Sequence, residues 1–120
     1  MEKFAQMAML ADFYGPLLTD KQRNAWDLHY QQDFSLAEIA ETEQISRQAV
    51  HDLLKRTERI LNDYEEKLGL VRRFWQEREK LVEVEKLLND FNDKDFSNEK
   101  ARKTCERIKE QLQEIYQVIE

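Results

Sequence analysis

The sequence predicts an all-α protein. Two glycines and one proline among 120 residues leave little material for the turns of a β-rich fold. Leu, Glu, Lys, Gln and Arg are abundant, and these residues favour helices. A hydrophobic content of 41% at this length is enough to bury one core, so we expect one domain with an appendage at most.

Residues 1–30 are predicted to form two helices. Phe4, Met7, Ala8 and Ala11 recur at helical spacing, and the pair Gly15-Pro16 ends that pattern because proline cannot continue a helix. Thr19 then stands where a helix cap is expected, with Gln22 three residues later as its reciprocal partner. The buried side of this second helix is predicted to consist of Ala25, Trp26, Leu28 and His29.

Two serines predict the starts of the third and fourth helices. Ser35 caps a short third helix, and Glu38 stands at the capping-box position. Ser46 caps a fourth helix, which we expect to continue for about six turns until Gly69. After the polar break at residues 31–33, the sequence therefore predicts a short third helix joined by a tight turn to a long fourth helix.

The stretch SLAEIAETEQISRQAVHDLLKR, residues 35–56, meets the separate demands of a helix-turn-helix motif. Ala40 is small where the second helix crosses closely, and Ile45 is an apolar plug for the turn. Two residues provide the buried face of the second helix: Val50 and Leu53. Gln44 occupies a turn position that favours a left-handed backbone, which costs a residue other than glycine about 1 kcal/mol.

After Gly69 the pattern indicates a helical hairpin. One apolar stripe consists of Phe74, Leu81, Val84, Leu88 and Phe91. Ser97 is predicted to cap a last helix with the heptad seam Ala101, Cys105, Ile108, Leu112, Ile115 and Ile119. A short connection makes the two long helices antiparallel. We therefore predict a helix-turn-helix domain at 1–69 and a hairpin at 70–120 that packs on this domain or forms a homodimer.

The net charge of −6 does not exclude a nucleic-acid partner, because charge is unevenly distributed. Residues 21–73 hold nine basic against ten acidic residues, and residues 46–61 are locally basic. A single cysteine, Cys105, cannot form an internal disulfide, and no apolar run approaches the roughly 20 residues of a membrane span. With no signal-peptide pattern at the N-terminus, we expect a cytoplasmic protein without membrane insertion.

The predicted nucleic-acid contacts lie on the fourth helix. Arg47 and Gln48, in its first turn, can form paired hydrogen bonds with guanine and adenine edges respectively. His51 and Lys55 extend the same face, and Arg56 and Arg59 are candidates for phosphate contacts. The alternative is an ordinary solvated surface in which Arg56 pairs with Asp52 four residues earlier.

Catalysis has little support in the sequence. His29 and His51 belong to different elements and to no metal-ligand spacing. Cys105 lies at a seam position, where a buried structural thiol is expected. The acidic stretch at residues 89–99 lacks the glycine and the final glutamate of a calcium loop. We therefore predict no enzyme activity, no metal and no cofactor.

From Leu18 to Arg59 the sequence resembles the C-terminal, promoter-reading domain of bacterial sigma factors. The flanking stretches FYGPLLTDKQ and RTERILNDYEEKLGL make residues 12 to about 74 similar to the YlxM family, small cytoplasmic proteins of mostly Gram-positive bacteria. By this resemblance Arg47, Gln48, His51 and Lys55 correspond to the promoter-reading face. A complete sigma factor does not fit in 120 residues.

The family resemblance implies a role in the signal recognition particle pathway, through the particle's RNA or its GTPase. Three hypotheses follow from the sequence. The first is a dimeric DNA-binding regulator that reads two half-sites about 34 Å apart. The second is an accessory factor of the signal recognition particle that contacts RNA by shape and phosphates. The third is a scaffold that binds no nucleic acid.

Overall fold

The computed structural model describes residues 3–119, with side chains up to residue 116. The described chain contains α-helices and no strands, which confirms the all-α prediction. The helices are α1 (Lys3–Tyr14), α2 (Asp20–Tyr30), α3 (Leu36–Glu43), α4 (Arg47–Leu68), α5 (Leu70–Asn89) and α6 (Glu99–Ile119), with 3₁₀ turns at Gly15–Leu17 and Asp93–Asp95. The chain divides into two compact units, residues 1–73 and 74–120.

The predicted capping residues start α2, α3 and α4. Thr19 Oγ1 accepts a hydrogen bond from Gln22 N at 3.2 Å, and Thr19 N donates to Gln22 Oε1 at 3.0 Å. The same reciprocal pair forms between Ser35 and Glu38. Ser46 Oγ accepts from Ala49 N at 3.0 Å. Because each cap satisfies otherwise free N–H groups, three helix starts are determined by local sequence.

The core of the first unit lies where α1, α2 and α3 pack against α4. Trp26 is 1% exposed, and its Nε1 donates to Met7 O at 3.1 Å, so its one polar atom is satisfied inside the core. Ile39, Val50 and Leu61 are completely buried around it. The core therefore fixes one face of α4 and leaves the opposite face to solvent.

The second unit is an antiparallel hairpin of α5 and α6, as predicted. The Arg78 guanidinium lies 5.6 Å from the centre of the Tyr116 ring, and Gln113 Nε2 donates to Glu85 Oε2 at 3.3 Å. Arg78 precedes Glu85 in α5, but its partner Tyr116 follows Gln113 in α6. The two helices therefore run in opposite directions.

One prediction about the hairpin needs correction. The cap of α6 is Asn98 and not Ser97, because Asn98 Oδ1 accepts from Ala101 N at 2.8 Å, three residues into the helix. The heptad seam is only partly covered within the hairpin, as expected: Cys105 and Leu112 are buried, while Ile108 is 44% exposed and Ile115 is 42% exposed. The apolar face of α6 is wider than the surface that α5 alone can cover. The seam residue Ile119 lies beyond the described side chains.

The domain boundary predicted between residues 69 and 70 stays a prediction. The first compact unit extends to Arg73, and Val71 packs against the core of that unit. Gly69 ends α4 as expected, in the left-handed conformation with φ 62°. The start of α5 thus belongs to the first unit although α5 continues into the second.

Candidate nucleic-acid interface

The turn between α3 and α4 has the geometry of a helix-turn-helix motif. Gln44 adopts the left-handed conformation with φ 57° and ψ 43°, as predicted for this position. Ile45 N then donates to Ala40 O at 3.1 Å, which closes the C-terminus of α3. Ile45 and Ala40 are partly buried against the core, and Val50 is fully buried. The turn therefore holds α3 and α4 together through both backbone and apolar contacts.

The six predicted contact residues are all exposed on α4: Arg47, Gln48, His51, Lys55, Arg56 and Arg59. Helical spacing places Arg47 and Arg56 two and a half turns apart, at about 3.6 residues per turn, so they lie on opposite flanks of the exposed surface. Gln48, His51 and Lys55 lie between these flanks. The six residues consequently form a broad surface of about half the circumference of the helix.

Asp52 lies within this surface, nearer to the Arg56 flank, and contacts two of the predicted residues. Gln48 Nε2 donates to Asp52 Oδ1 at 3.0 Å, and His51 Nδ1 lies 3.6 Å from the same oxygen. In the part of the chain that the structure describes, residues 3–119, Asp52 forms no ion pair with Arg56, which was the alternative that the sequence offered. Exposed contacts of this kind contribute only about 0.2–0.5 kcal/mol, so a ligand can displace them.

The positive charge of this surface is only partly neutralised. Lys55 Nζ lies 3.9 Å from Glu58 Oε2, and Lys3 Nζ lies 3.7 Å from Glu58 Oε1. Among residues 3–119, no ion pair involves Arg47, Arg56 or Arg59. The three arginines therefore remain available to phosphates or base edges.

A cavity of ≈ 220 Å³ opens beside His51 and Lys55. Its remaining walls include residues that the sequence did not predict as functional: Lys3, His29, Tyr30 and Glu58. These residues come from α1, α2 and α4, and no spacing in the sequence connects them. Burial, and secondarily the charge of Glu58, raises the pKa of Tyr30 above its ordinary value, so its phenol stays neutral at physiological pH.

The described residues contain no group of three or more His, Cys, Asp or Glu side chains placed to hold a metal ion. Within the same part of the chain, every helix is too short or too polar to cross a membrane.

The packed motif of α3 and α4, with a capped and exposed second helix, defines a helix-turn-helix protein. The sequence model of the UPF0122 protein family, described as "Putative helix-turn-helix protein, YlxM / p13 like", matches residues 1–108. The chain belongs to this family. The match confirms the resemblance found in the sequence, and it extends from the helix-turn-helix unit through most of the hairpin.

Curated relatives support the same assignment. A UPF0122 protein of Desulforamulus reducens is 45% identical over 117 residues, which cover 96% of this chain and 100% of the relative. A UPF0122 protein of Listeria innocua is 45% identical over 108 residues, and one of Bacillus cereus strain AH187 is 47% identical over 108 residues. Both alignments cover 90% of this chain and 96% of the relative. The family is described by its motif and not by a catalytic activity.

Proposed function

We propose that this protein binds nucleic acid through the exposed side of α4. The observation that carries the proposal is the position of Arg47 and Gln48 in the first turn of α4, directly after the Ser46 cap and the left-handed turn. In helix-turn-helix proteins, the N-terminal residues of the second helix contact base edges in the major groove. The buried face of α4 leaves the helix only one side with which to bind.

The chemistry of the exposed side fits this role. An α-helix with side chains is about 10–12 Å wide, and the major groove is about 12 Å wide. Gln48 can exchange its hydrogen bond with Asp52 for one with a base, because both are exposed. Arg56 and Arg59 extend beyond the first turn, where guanidinium groups can pair with phosphates.

Fluorescence anisotropy with labelled duplex DNA, duplex RNA and structured RNA, at about 50 and 200 mM salt, tests the proposal. Wild type should bind at least one class, with weaker binding at the higher salt. Arg47→Ala should relax base preference, whereas Arg59→Ala should weaken binding to all sequences alike. Lys67→Ala, at the far end of α4, is the charge-matched control and should leave binding unchanged.

Two outcomes would overturn the proposal. The first is no measurable affinity at low salt, which would favour a scaffold role. The second is equal binding by wild type, Arg47→Ala and Arg59→Ala, which would place the binding surface elsewhere. A preference for duplex DNA with a defined sequence would favour a transcriptional regulator.

We further propose that the partner is the RNA of the signal recognition particle, with the particle's GTPase as a second partner and the cytoplasm as the compartment. The resemblance to the YlxM family supports this choice, and the basic surface of α4 supplies the chemistry for an RNA helix. The particle's RNA should bind more tightly than an unrelated hairpin of equal length. Equal affinity, together with unchanged nucleotide turnover by the GTPase, would overturn this assignment.

We also propose that the protein is a homodimer formed through the hairpin. The support comes from the second unit, whose apolar side chains include Leu87 at 66%, Phe91 at 49% and Val84 at 43% exposure. Exposed apolar side chains that recur along paired helices are typical of interaction surfaces. Light scattering should give twice the chain mass of 14.5 kDa, and a monomeric mass would refute the dimer.

A further inference from the structure

The cavity beside α4 is lined by apolar, aromatic and charged or polar side chains. Leu36 and Leu54 are apolar, and His29 and Tyr30 add aromatic rings. Phe4 packs against both rings, with centroids 4.7 Å from Tyr30 and 6.0 Å from His29, so the aromatic wall is held in place before any ligand arrives. Lys55 and His51 contribute groups that can carry positive charge, and Glu58 contributes a carboxylate.

The size of the cavity limits the ligand. A cavity of about 150 Å³ holds one benzene molecule. The volume of ≈ 220 Å³ therefore accepts a six-membered ring with polar substituents, but it is small beside the 300–1,000 Å³ of ordinary cofactor pockets. Flat aromatic and apolar walls favour a planar ring, since unpaired bases stack on such side chains.

The hydrogen-bonding groups narrow the choice further. Glu58 is 20% exposed, and its two oxygens lie 3.7 Å from Lys3 Nζ and 3.9 Å from Lys55 Nζ. Both distances exceed those of tight hydrogen bonds, so the carboxylate can still accept one. A carboxylate accepts from the exocyclic amino group of cytosine, whereas uracil presents a carbonyl oxygen at that position.

The imidazole of His29 is also oriented. Its Nδ1 lies 2.9 Å from Phe34 O, and a carbonyl oxygen only accepts, so Nδ1 carries the hydrogen. A backbone contact with the loop that follows α2 thereby fixes the ring position. Lys55 and His51 also belong to the proposed binding surface of α4, so a strand that crosses that surface passes the cavity.

We propose that this cavity receives one unpaired nucleotide of a bound strand, with cytosine as its preferred base. The base lies between the apolar and aromatic walls, its amino group donates to Glu58, and its phosphate contacts Lys55 and His51. This inference rests on the proposed nucleic-acid binding, and it adds a preference for strands with an unpaired cytosine near the surface that α4 presents.

Titration of the ¹⁵N-labelled full-length protein with CMP, UMP and inorganic phosphate tests the site. CMP should shift amide signals around Tyr30, Leu36 and Leu54, and it should bind about tenfold more tightly than UMP. Equal affinities for CMP and UMP would overturn the proposal. The same shifts with inorganic phosphate at equal affinity would reduce the site to an anion site and would also overturn it.

Variants separate the contributions of the walls. Glu58→Gln should bring CMP and UMP to similar affinity, because an amide can donate to uracil as well as accept from cytosine. Glu66→Gln, exposed near the end of α4, is the matched control and should keep the tenfold preference. Leu36→Trp should fill the cavity and remove binding of both nucleotides, with an unchanged melting temperature as evidence of folding. Loss of preference in the control but not in Glu58→Gln would overturn the proposal.

Oligonucleotides distinguish this inference from the proposed function. A hairpin with one unpaired cytosine should bind more tightly than the same hairpin with unpaired uracil, and Leu36→Trp should equalise the two. If the hairpins bind equally but Arg47→Ala weakens both, the cavity proposal fails and the proposed function stands. If CMP binds and no oligonucleotide does, the proposed function fails, and so does the assignment of the cavity to a strand.

Discussion

The Tyr14 hydroxyl donates a hydrogen bond to Glu65 Oε1 at 2.5 Å, which joins the end of α1 to the last turns of α4. The same hydroxyl accepts from Leu70 N at 3.1 Å, and the Glu65 carboxylate accepts from Val71 N at 3.0 Å and Arg72 N at 3.1 Å. Two side chains from other helices therefore satisfy the first free N–H groups of α5. They replace the local cap that Gly69 cannot supply.

Glu65→Gln should destabilise the first unit by about 1–2 kcal/mol, because a charged acceptor of three hydrogen bonds becomes a neutral one. Urea denaturation followed by Trp26 fluorescence, in a Trp75→Phe background, measures this difference. Glu66→Gln, the exposed neighbour, should change stability by no more than about 0.5 kcal/mol. Equal effects of the two variants would contradict a capping role for Glu65.

Acid should remove the contribution of Glu65. Burial raises the pKa of this carboxyl, but hydrogen bonds from Tyr14, Val71 and Arg72, with the charge of Arg72, outweigh burial and lower the pKa below the ordinary value of 4.5. Its stabilising effect is therefore fully present above pH 4.5 and is lost as pH falls through the folded-state pKa.

The measurement is the stability difference between wild type and Glu65→Gln across pH 7 to 3. The difference should be constant down to about pH 4.5 and should shrink below it. A difference that grows in acid would show that the folded-state pKa is raised and would contradict this sign.

Gln44→Gly should stabilise the first unit by up to about 1 kcal/mol, because glycine removes the cost of a side chain at φ 57°. Glu43→Gly, one residue earlier and at the last helical position of α3, should instead cost up to about 1 kcal/mol. Thermal unfolding of both variants checks the opposite signs. A destabilised Gln44→Gly would mean that the Gln44 side chain makes a contribution larger than its backbone cost.

The salt dependence of nucleic-acid binding should identify phosphate contacts. For duplex DNA, each phosphate contact contributes about −0.9 to the slope of log affinity against log salt, so Arg59→Ala should reduce the magnitude of the slope by about one unit. Lys67→Ala should leave the slope unchanged. An unchanged slope for Arg59→Ala would remove this residue from the interface.

Leu87→Asp should weaken the proposed dimer, since a charge is costly to bury at this position, the most exposed large apolar side chain among those described in the hairpin. Sedimentation at several concentrations should show a larger monomer fraction than in wild type. Lys86→Asp, which changes charge at an already solvated neighbour, is the control. Equal monomer fractions in the two variants would place the interface elsewhere.

Local sequence predicted much of the fold because its signals act within a few residues. Thr19, Ser35 and Ser46 cap helices through bonds to residues three positions later, and Gln44 lies in a turn whose length the motif dictates. The cap of α6 is Asn98, one residue after the predicted Ser97. Serine and asparagine are both good caps, and the sequence alone does not rank adjacent candidates.

The candidate site was predictable only in part. The exposed residues of α4 follow from helical periodicity, so Arg47 to Arg59 could be named in advance. The contact of Gln48 with Asp52, in place of the alternative pair with Arg56, depends on side-chain rotamers, which helical spacing does not determine. Lys3, His29 and Tyr30 meet Glu58 only because α1 and α2 pack against α4, and their separation along the chain hides that relationship.

The sequence by itself determined the helices, the helix-turn-helix motif and the family, because these depend on caps, turn residues and periodicity. Only the tertiary structure decided that Tyr14 and Glu65 close the start of α5, and that a cavity lies beside the exposed face of α4. The physical reason is that both features join side chains of helices distant in the chain, and packing around Trp26 and Val50 brings those helices together.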